Sequence, residues 1–379
     1  MDSADNFEYE RSSHMKILEV IDTLAPGGGQ RFVVDLCNEM AASNEVYLAK
    51  LRIKPNSEFY KKDLDPKVKL LAYDGTLGSF SKVWQIFVVV RMILKTRPDV
   101  VHAHLVMFNY IILPALLFPR VKFYYTVHNL ADKDTNPGLN FIFKKWLFRK
   151  KVRAVTISDL CEQSFLDFFT YNSFRMIENG CRELYTTEKL IEAETEISGY
   201  RRTADTKVFV NVARLMRQKN HQLLVEAFNE FVSSGYDAVL IIIGDYDSYD
   251  EMKKIKSELD TVITTDRIYF VGTKHNVSDY LAVAEFFCLA SKYEGLPISL
   301  LEAGLSGAYP ISTPVGGVPD VVKDENWGLL STDLTVSSYI ELLTQAYEVR
   351  LDREKIKELY RSRYLMSTCA AGYLKAFKE

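Results

Sequence analysis

The chain has 379 residues, of which 47% are hydrophobic and 26% are charged, a composition typical of a globular protein with about two domains. This composition excludes an intrinsically disordered chain. The five cysteines are scattered, odd in number and without paired spacing, which argues against a disulfide framework or a zinc site and favours reduced thiols.

Charge is divided unevenly along the chain, although the formal net charge is only −3. Residues 16–180 carry 23 basic and 16 acidic side chains, whereas residues 181–379 carry 23 basic and 30 acidic ones. The first half is therefore +7 and the second half −7. This asymmetry suggests that the first half meets an anionic surface or substrate, although a solvated surface is the more common explanation of a charge run.

Two segments, the first residues and the most apolar stretch, bear on where the fold begins and on whether the chain crosses a membrane. Residues 1–14 are polar and lack the apolar core of a signal peptide, so we predict a leader or cloning tag before a fold that begins at Met15. Residues 105–119 are interrupted by Asn109 and Pro114 and fall short of the ~20 residues that a membrane-spanning helix needs. They are predicted to form a buried helix.

From Lys16 onwards, short β-rich apolar runs alternate with amphipathic helical stretches. This βαβ alternation predicts a parallel sheet covered by helices on both faces. We assign an N-terminal Rossmann-like domain to residues 15–182. Its predicted strands are 16–21, 45–51, 68–71, 99–103, 121–128 and 152–157.

The alternation stops and then restarts in the second half. Residues 183–205 are polar and rich in Glu and Thr, which predicts a linker region. A second Rossmann-like domain is predicted at 206–355, and a C-terminal helix at 356–379 that crosses back to the first domain. Ligands of open α/β sheets bind beyond the carboxyl ends of the strands, so the predicted site is a cleft between two facing domains.

A glycine run, Gly27 to Gly29, follows the first predicted strand and precedes a helix. Such a run lets the backbone approach a ligand closely. The spacing is not G-x-G-x-x-G, and no acidic ribose partner is obvious about 20 residues later, which disfavours a dinucleotide dehydrogenase. A plain tight turn explains the run equally well.

Two cations, Arg214 and Lys219, follow the first strand of the second domain. Arg can hold phosphate oxygens bidentately and Lys adds a point charge, so the pair predicts a diphosphate site. The structural alternative is a basic first helical turn, which the helix dipole disfavours.

The segment from Glu294 to Glu302 places two carboxylates on either side of a predicted helix start. A proline presets the first helical turn, so Glu294 should stay in the loop. A carboxylate suits the paired hydroxyls of a sugar or ribose, and a helix start attracts phosphate. The segment therefore predicts a nucleotide-sugar site. The amides expected to face outward there belong to Leu296, Ser299 and Leu300.

Three histidines, His102, His104 and His128, lie at predicted strand ends of the first domain. A packed, hydrogen-bonded histidine is the common case, and a metal site would need acidic or cysteine partners that the nearby sequence does not offer. No metal site is predicted. Of the three, His128 is the best candidate to face the cleft. The D-x-D pattern at Asp245 is discounted, because the same pattern recurs elsewhere in the chain.

The stretch 141–153 combines aromatic residues with six cations and no acid. It predicts an interfacial helix that lies on anionic lipid. The alternative, a helix that packs its apolar stripe on the sheet and leaves a solvated basic face, has about equal weight.

In combination these motifs resemble the retaining GT-B glycosyltransferases of the large E-x7-E family (glycosyltransferase family 4, group 1 type). The resemblance covers nearly the whole chain from Met15. It rests on the E-x7-E spacing of Glu294 and Glu302, on Arg214 and Lys219 in an R-L-x-x-x-K element, and on the amino-terminal glycine run.

The resemblance implies a role for each candidate residue. Glu294 would hold hydroxyls of the donor sugar, Glu302 the ribose, and Arg214 with Lys219 the diphosphate. His128 matches the family histidine that lies beside the donor sugar. Backbone groups implied to contact the donor are those of Gly28, Gly29, Gly295, Leu296, Ser299 and Leu300.

The sequence thus predicts a cytoplasmic retaining glycosyltransferase, peripheral to the inner face of the cell membrane. It would transfer a hexose or N-acetylhexosamine from a UDP- or GDP-sugar to a lipid-linked or growing glycan. Neither a metal nor a cofactor besides the donor is implied by the resemblance, and no nucleic-acid partner is predicted. The alternatives are a nucleotide-sugar epimerase on the same fold and a sugar-binding protein without turnover.

Overall fold

The computed structural model describes residues 14–52, 57–73, 82–134 and 139–379, which divide into two compact units. Unit 1 runs to Gly180 and also includes Met366–Glu379, whereas unit 2 is Cys181–Leu365. The segment 1–13, most of the predicted leader, lies outside the described residues. Each unit contains its own parallel sheet, which confirms the prediction of two Rossmann-like α/β domains.

Unit 1 has a seven-stranded sheet in the order β3-β2-β1-β4-β5-β6-β7, and every pairing is parallel. Its order reverses between β1 and β4, where Glu19 lies in register with His102. The strands are β1 (Lys16–Ile21), β2 (Glu45–Lys50), β3 (Lys69–Ala72), β4 (Val100–His104), β5 (Lys122–Val127), β6 (Val152–Thr156) and β7 (Arg175–Met176).

The helices of unit 1 connect successive strands, as parallel pairing requires. In chain order they are α1 (Gly28–Met40), α2 (Lys82–Thr96), α3 (Phe108–Leu117), α4 (Ala131–Asp134), α5 (Leu139–Lys150) and α6 (Asp159–Phe169). The first of them, α1, buries Phe32, Val33 and Leu36 on one side. The prediction of a fully buried helix at 105–119 is wrong for one face: α3 buries Phe108 and Ile111 but exposes Leu117.

Unit 2 has a six-stranded parallel sheet in the order β10-β9-β8-β11-β12-β13. Its strands are β8 (Lys207–Val212), β9 (Ala238–Ile243), β10 (Ile268–Gly272), β11 (Phe286–Leu289), β12 (Tyr309–Ser312) and β13 (Leu329–Leu330). Its helices are α7 (Leu190–Tyr200), α8 (His221–Ser233), α9 (Asp250–Val262), α10 (Val277–Val283), α11 (Ile298–Ser306), α12 (Val318–Val321), α13 (Val336–Tyr347) and α14 (Arg353–Tyr364).

The predicted linker 183–205 contains the helix α7, so that prediction is wrong for its central part. Ala193 and Ile197, one helical turn apart, are buried and form a narrow apolar stripe. Glu196 on the same helix accepts a hydrogen bond from Lys274 at 3.0 Å and another from Tyr280, a residue of α10. Packing against α10 therefore stabilises a helix whose sequence is mostly polar.

The C-terminal region is two helices rather than the single helix predicted at 356–379. The first, α14, belongs to unit 2, and the second, α15 (Met366–Lys378), belongs to unit 1. The hydroxyl of Tyr124 on β5 donates to the carbonyl of Ala376 at 2.6 Å. Within unit 1, α15 also packs against α1.

Each sheet has one point where the strand order reverses, between β1 and β4 in unit 1 and between β8 and β11 in unit 2. In open α/β sheets, ligands bind outside the carboxyl ends of the strands at such a point. The loops that follow these four strands are therefore where site residues are expected. No helix among the described residues has the length and apolar character needed to cross a membrane.

Candidate functional site

In unit 2, the loops that follow β8 and β11 are hydrogen-bonded to each other. The amide of Lys292 donates to the carbonyl of Gln218 at 2.8 Å, and the side-chain amide of Gln218 donates to the carbonyl of Tyr293 at 2.8 Å. These bonds hold the loop that carries Arg214 and Lys219 beside the loop that carries Glu294. The structure thus brings together, within one unit, residues that the sequence had predicted from separate motifs.

Lys219 and Glu294 form an ion pair, with 2.6 Å between Nζ and Oε1. The hydroxyl of Ser291 donates to the same carboxylate oxygen at 2.5 Å. The carboxylate is nearly buried, with 7% of the side chain exposed, while the lysine side chain is 21% exposed. Within the described chain, the hydrogen bonds of Glu294 involve Oε1, which leaves Oε2 to accept a bond from a ligand hydroxyl.

Two glycines fix the backbone around this pair. Gly316 has a φ of 58°, and a Cβ there would lie 1.8 Å from the carbonyl oxygen of Glu294. The next amide, that of Gly317, donates to the carbonyl of Gly295 at 2.7 Å. Gly316 is therefore required for the loop after β12 to lie directly against the backbone of Glu294.

Arg214 differs from the neighbouring Arg217 in having no ion pair or hydrogen bond from its guanidinium to any described residue. Arg217 is paired with Glu258 at 2.6 Å. Close packing supports the start of the Arg214 loop, since a Cβ on Gly244 would lie 1.9 Å from the carbonyl oxygen of Ala213. The charge of Arg214, which is only partly exposed, is therefore available for an anion.

The helix start after Glu294 supports only part of the prediction made for its amides. Helix α11 begins at Ile298, and the amide of Leu300 donates to the carbonyl of Pro297 at 3.2 Å. The expectation of a free amide at Leu300 is therefore wrong, because the first turn uses it. The Ser299 amide has no backbone partner in the described part of the chain, and Glu302 lies partly exposed on α11.

The D-x-D pattern at Asp245, which the sequence analysis discounted, has a structural role. Asp245 is buried, and its Oδ1 accepts from the amides of Asp247 at 3.2 Å and Ser248 at 3.1 Å. These are the bonds of an Asx turn, which orders the loop after β9. The carboxylate of Asp245 therefore stabilises this loop.

In unit 1, helix α1 begins at Gly28 directly after β1 and its loop. A Cβ on Gly29 would lie 2.7 Å from Cδ2 of Leu105, a residue with a φ of 55° at the end of β4. A Cβ at this position would make the Leu105 side chain shift, so close packing at the β1/β4 reversal favours a small residue here. The glycine run has a structural cause in addition to the ligand role predicted for Gly28 and Gly29.

The three histidines of unit 1 form one buried cluster around Glu19. The carboxylate of Glu19 is 2.7 Å from Nε2 of His104 and 3.1 Å from Nδ1 of His102. His104 Nδ1 is 3.0 Å from Nε2 of His128. The other nitrogen of His102, Nε2, is 2.8 Å from the hydroxyl of Thr126. Glu19, His102 and His104 are fully buried, whereas His128 is partly exposed.

The expectation that these histidines have no acidic partner is thus wrong, because Glu19 is that partner. One donor atom from each of Glu19, His102 and His104 lies within 4.8 Å of the others, close enough to hold a metal ion. In this structure the two histidine nitrogens each lie at hydrogen-bonding distance from the carboxylate of Glu19. Glu19 was detectable in the sequence as the one charged residue in the strand Lys16–Ile21 that lies among apolar neighbours.

Electrostatics favour a charged Glu19 and neutral rings at His104 and His128. Burial opposes ionisation of Glu19, but the charge interaction with His102 and the hydrogen bonds from His102 and His104 lower its pKa to about 2. Burial, assisted by His102, lowers the pKa of His104 to about 4 despite the bond to Glu19. Burial also places the pKa of His128 well below its usual value, with contributions from His104 and His102. At neutral pH, His104 and His128 are therefore uncharged.

The predicted site residues are thus divided between the units. Unit 2 holds Arg214, Lys219, Glu294, Gly295, Leu296, Ser299, Leu300 and Glu302, and unit 1 holds Gly28, Gly29 and His128. Within unit 1, the ring of His128 packs edge-on against Phe32 of α1, with 5.5 Å between ring centroids. The histidine cluster therefore lies beside the helix that the glycine run begins.

Two family models match the chain, one in each half. "Glycosyl transferases group 1" matches residues 193–363, and "Glycosyltransferase Family 4" matches residues 26–182. The first match includes the Lys219–Glu294 pair and the second includes the histidines.

Two distant curated relatives align with most of the chain. The N-acetyl-alpha-D-glucosaminyl L-malate synthase of Bacillus anthracis is 22% identical over 74% of this chain and 76% of its own length. A second relative, from Campylobacter jejuni, is 23% identical over 90% of this chain and 92% of its own length. Its name is N-acetylgalactosamine-N,N'-diacetylbacillosaminyl-diphospho-undecaprenol 4-alpha-N-acetylgalactosaminyltransferase.

Among solved structures, HepE of Anabaena in complex with UDP and glucose is similar to this chain. The TM-score is 0.75 at 17% identity, and the alignment covers 96% of this chain and 99% of HepE. At this identity the similarity concerns the fold, which extends over both units.

Proposed function

This chain is a glycosyltransferase with the GT-B fold, and we propose that it transfers a hexose or N-acetylhexosamine from a nucleotide-sugar with retention of anomeric configuration. The observation that carries the proposal is the Lys219–Glu294 ion pair, together with Arg214 on the same loop as Lys219, whose guanidinium has no partner among the described residues. These residues combine two cations, which suit a diphosphate, with a carboxylate that suits sugar hydroxyls.

Arg214 and Lys219 would stabilise the leaving nucleoside diphosphate. Negative charge develops on the phosphate oxygen as the bond to the anomeric carbon breaks, and fixed cations lower the energy of that charge separation. Arg214 supplies an uncommitted charge, and Lys219 is held in place by Glu294 at 2.6 Å. We propose that these side chains perform the role that a divalent metal has in other transferases, so that activity persists in EDTA.

Glu294 would bind the transferred sugar rather than attack it. Its Oε1 already accepts from Lys219 and Ser291, and Oε2 remains for a sugar hydroxyl. In the proposed step, the bond from the anomeric carbon to the diphosphate breaks, and the acceptor oxygen bonds to the same face of that carbon. The acceptor proton moves to the departing phosphate oxygen, and no enzyme nucleophile is required.

The donor and acceptor classes are proposed from the relatives. UDP is bound in the HepE structure, and the names of both curated relatives include N-acetylhexosaminyl groups. The Campylobacter jejuni relative is named for a diphospho-undecaprenol substrate. We therefore propose a UDP-sugar, with a GDP-sugar as the other option, and a glycan or lipid-linked acceptor.

Peripheral contact with anionic membrane is proposed from the surface of unit 1. Helix α5 packs Leu147 and Phe148 inward but leaves Ile142, Phe143 and Trp146 65%, 42% and 45% exposed. The exposed Arg149, Lys150 and Lys151 follow directly. Exposed aromatic side chains beside cations suit a bilayer interface with anionic headgroups.

The deciding experiment uses purified protein, a panel of UDP- and GDP-sugars and undecaprenyl-diphosphate-linked or oligosaccharide acceptors. A thermal shift identifies the nucleotide, because a ligand that binds only the folded state raises its stability. Proton NMR of the product then gives the anomeric configuration, which should match that of the donor. Inversion of the anomeric centre would refute the retaining mechanism.

The two alternatives predict different outcomes in the same assay. An epimerase would isomerise the donor sugar without any acceptor, and a binding protein would show a thermal shift without nucleotide release. Acceptor-dependent release of UDP or GDP distinguishes the transferase from both.

A further inference from the structure

The buried cluster of unit 1 forms a continuous chain from Glu19 through His104 to His128. The carboxylate of Glu19 contacts Nε2 of His104 at 2.7 Å, and Nδ1 of His104 contacts Nε2 of His128 at 3.0 Å. His104, the middle member, uses a different nitrogen for each of its two neighbours. The partner at one end therefore determines which nitrogen carries the proton at the other end.

The position of each proton follows from the donors and acceptors. A carboxylate can only accept hydrogen bonds, so Nε2 of His104 must carry a proton. A neutral imidazole has a single N–H, and Nδ1 of His104 is therefore an acceptor. The group that faces it, Nε2 of His128, must then be the donor. Nδ1 of His128 is left with its lone pair.

We propose that Glu19 and His104 are positioning residues that hold His128 in its Nε2–H tautomer, so that Nδ1 accepts a hydrogen bond from the hydroxyl of a sugar that binds to unit 1. This inference rests on the proposed function, because it takes the ligand of unit 1 to be a sugar substrate of the transfer reaction. The low pKa values of His104 and His128 support it, since protonation of either ring would remove an acceptor.

Burial explains why the arrangement can hold a single tautomer. Glu19 and His104 are fully buried, so water cannot substitute for either partner of the chain. Glu19 also accepts from His102, whose Nε2 contacts Thr126, and Thr126 contacts the hydroxyl of Tyr373 on α15 at 2.8 Å. These contacts fix the carboxylate from the other side and restrict its rotation.

The first test reads the tautomer directly and needs no activity. In protein labelled with ¹⁵N-histidine, long-range proton–nitrogen spectra distinguish Nε2–H, Nδ1–H and doubly protonated rings. The chain has six histidines, and the His128 signals are assigned from their absence in His128→Gln. We expect His128 and His104 both as Nε2–H at pH 7. A Nδ1–H or doubly protonated His128, or a stoichiometric metal bound to the purified protein, overturns the proposal.

The second test asks whether the tautomer matters for transfer. Glu19→Gln replaces one acceptor oxygen by an N–H donor, so the tautomer of His104, and with it that of His128, should become mixed. We expect kcat of sugar transfer to fall about 10- to 100-fold, the range seen when the hydrogen-bonding partner that orients a metal-bound histidine is removed. The affinity for UDP alone should be unchanged, because the residues proposed to bind the diphosphate, Arg214 and Lys219, are not part of the Glu19–His104–His128 series.

Two variants of His104 separate positioning from packing. In His104→Asn, Oδ1 takes the place of Nδ1 and can still accept from His128, whereas His104→Leu offers no acceptor. Asn should therefore retain several-fold more activity than Leu. Equal activity of the two folded variants, or a wild-type rate in Glu19→Gln, overturns the role in transfer. Wild-type protein with no sugar transfer would instead refute the proposed function, and the spectra would still decide the tautomer.

Discussion

Lys219 and Glu294 are 75 residues apart in the chain, yet their side chains are joined by a 2.6 Å bond. Because the two act as one unit, we predict that Lys219→Ala and Glu294→Ala each lower kcat/KM by about 10²- to 10³-fold, the effect of losing one preorganised electrostatic contact. The double variant should be little worse than either single variant, since residues that act together are not additive. Steady-state rates of UDP or GDP release give kcat/KM for the two single variants and the double variant.

The surface pair Lys357–Glu354, at 2.7 Å, is the control for that experiment. This pair is exposed and includes no residue of the proposed site, so Glu354→Ala should retain full activity. Near-native turnover in folded Lys219→Ala or Glu294→Ala would refute the assignment of this site.

Arg214 and Arg217 form a natural comparison, since the first lacks a described ion pair and the second is bound to Glu258. Arg214→Gln should weaken UDP or GDP binding by roughly 10- to 100-fold, because a hydrogen bond to a charged group contributes about 1.5–3 kcal/mol. Arg217→Gln should leave the affinity unchanged. Isothermal titration calorimetry compares the two, and an equal effect of both variants would show that Arg214 has no special role.

Gly316 and Gly199 should respond in opposite directions to alanine. Gly316→Ala forces a Cβ to within 1.8 Å of the carbonyl oxygen of Glu294 at a positive φ, and should lower the free energy of unfolding by about 1–3 kcal/mol. It should also reduce transfer, because the backbone of Glu294 must move. Gly199 lies on α7, and a methyl group there would have nothing within 4 Å. Gly199→Ala should therefore raise the free energy of unfolding by about 0.5–1 kcal/mol. Urea unfolding of both variants checks the sign.

The exposed face of α5 should bind anionic vesicles. We expect sedimentation with phosphatidylglycerol vesicles but not with phosphatidylcholine vesicles, and less binding as salt is raised. Lys150→Ala with Lys151→Ala should weaken binding by about 2 kcal/mol, since each basic residue near an anionic surface contributes about 1 kcal/mol. Trp146→Ser should weaken it as well, whereas Ile191→Ser, at an exposed position of unit 2, should not. Equal binding to both vesicle types would refute the electrostatic contribution.

His221 predicts how stability depends on pH. Burial, with the charge of Lys219, lowers its folded-state pKa to about 3, while an unfolded histidine titrates near 6.5. Between these values the unfolded chain binds a proton that the folded chain does not, so stability falls as pH decreases from about 6.5 to 3. The contribution is about 1.4 kcal/mol per pH unit for this residue.

The variant His221→Gln isolates that contribution. The side-chain amide of Gln can still donate to Asn211 Oδ1, which is 3.1 Å from Nε2 of His221. Urea unfolding at pH 7, 6 and 5 should therefore show a flatter pH dependence in the variant than in the wild type. Identical slopes would mean that His221 titrates normally.

The site in unit 2 could be predicted from the sequence because its signals are local. A cation that follows a strand, or a carboxylate before a proline and a helix, is visible within about ten residues, and the βαβ alternation predicts that these loops share one edge of a sheet. The amides were harder to predict, because the bond from Leu300 to Pro297 depends on the geometry of the first turn of α11.

Glu19 and α7 could not be predicted in the same way, because their environment is formed by distant residues. Glu19 meets His102 only through the register of β1 with β4. Helix α7 has a polar sequence and depends on α10 for the packing of Ala193 and Ile197. Both cases need knowledge of which elements are neighbours in space, and a single sequence gives that only where its pattern is strongly periodic.

The last helix, α15, has a consequence for how the chain is made. Tyr373 contacts Thr126 across 247 residues, and the carbonyls of Phe377 and Lys378 accept from Lys122. Domains usually fold as they leave the ribosome, the amino-terminal one first. Here the first unit lacks one of its helices until Met366–Lys378 has been translated, by which time all of unit 2 has been synthesised. The histidine cluster is therefore among the last parts of the molecule to be completed.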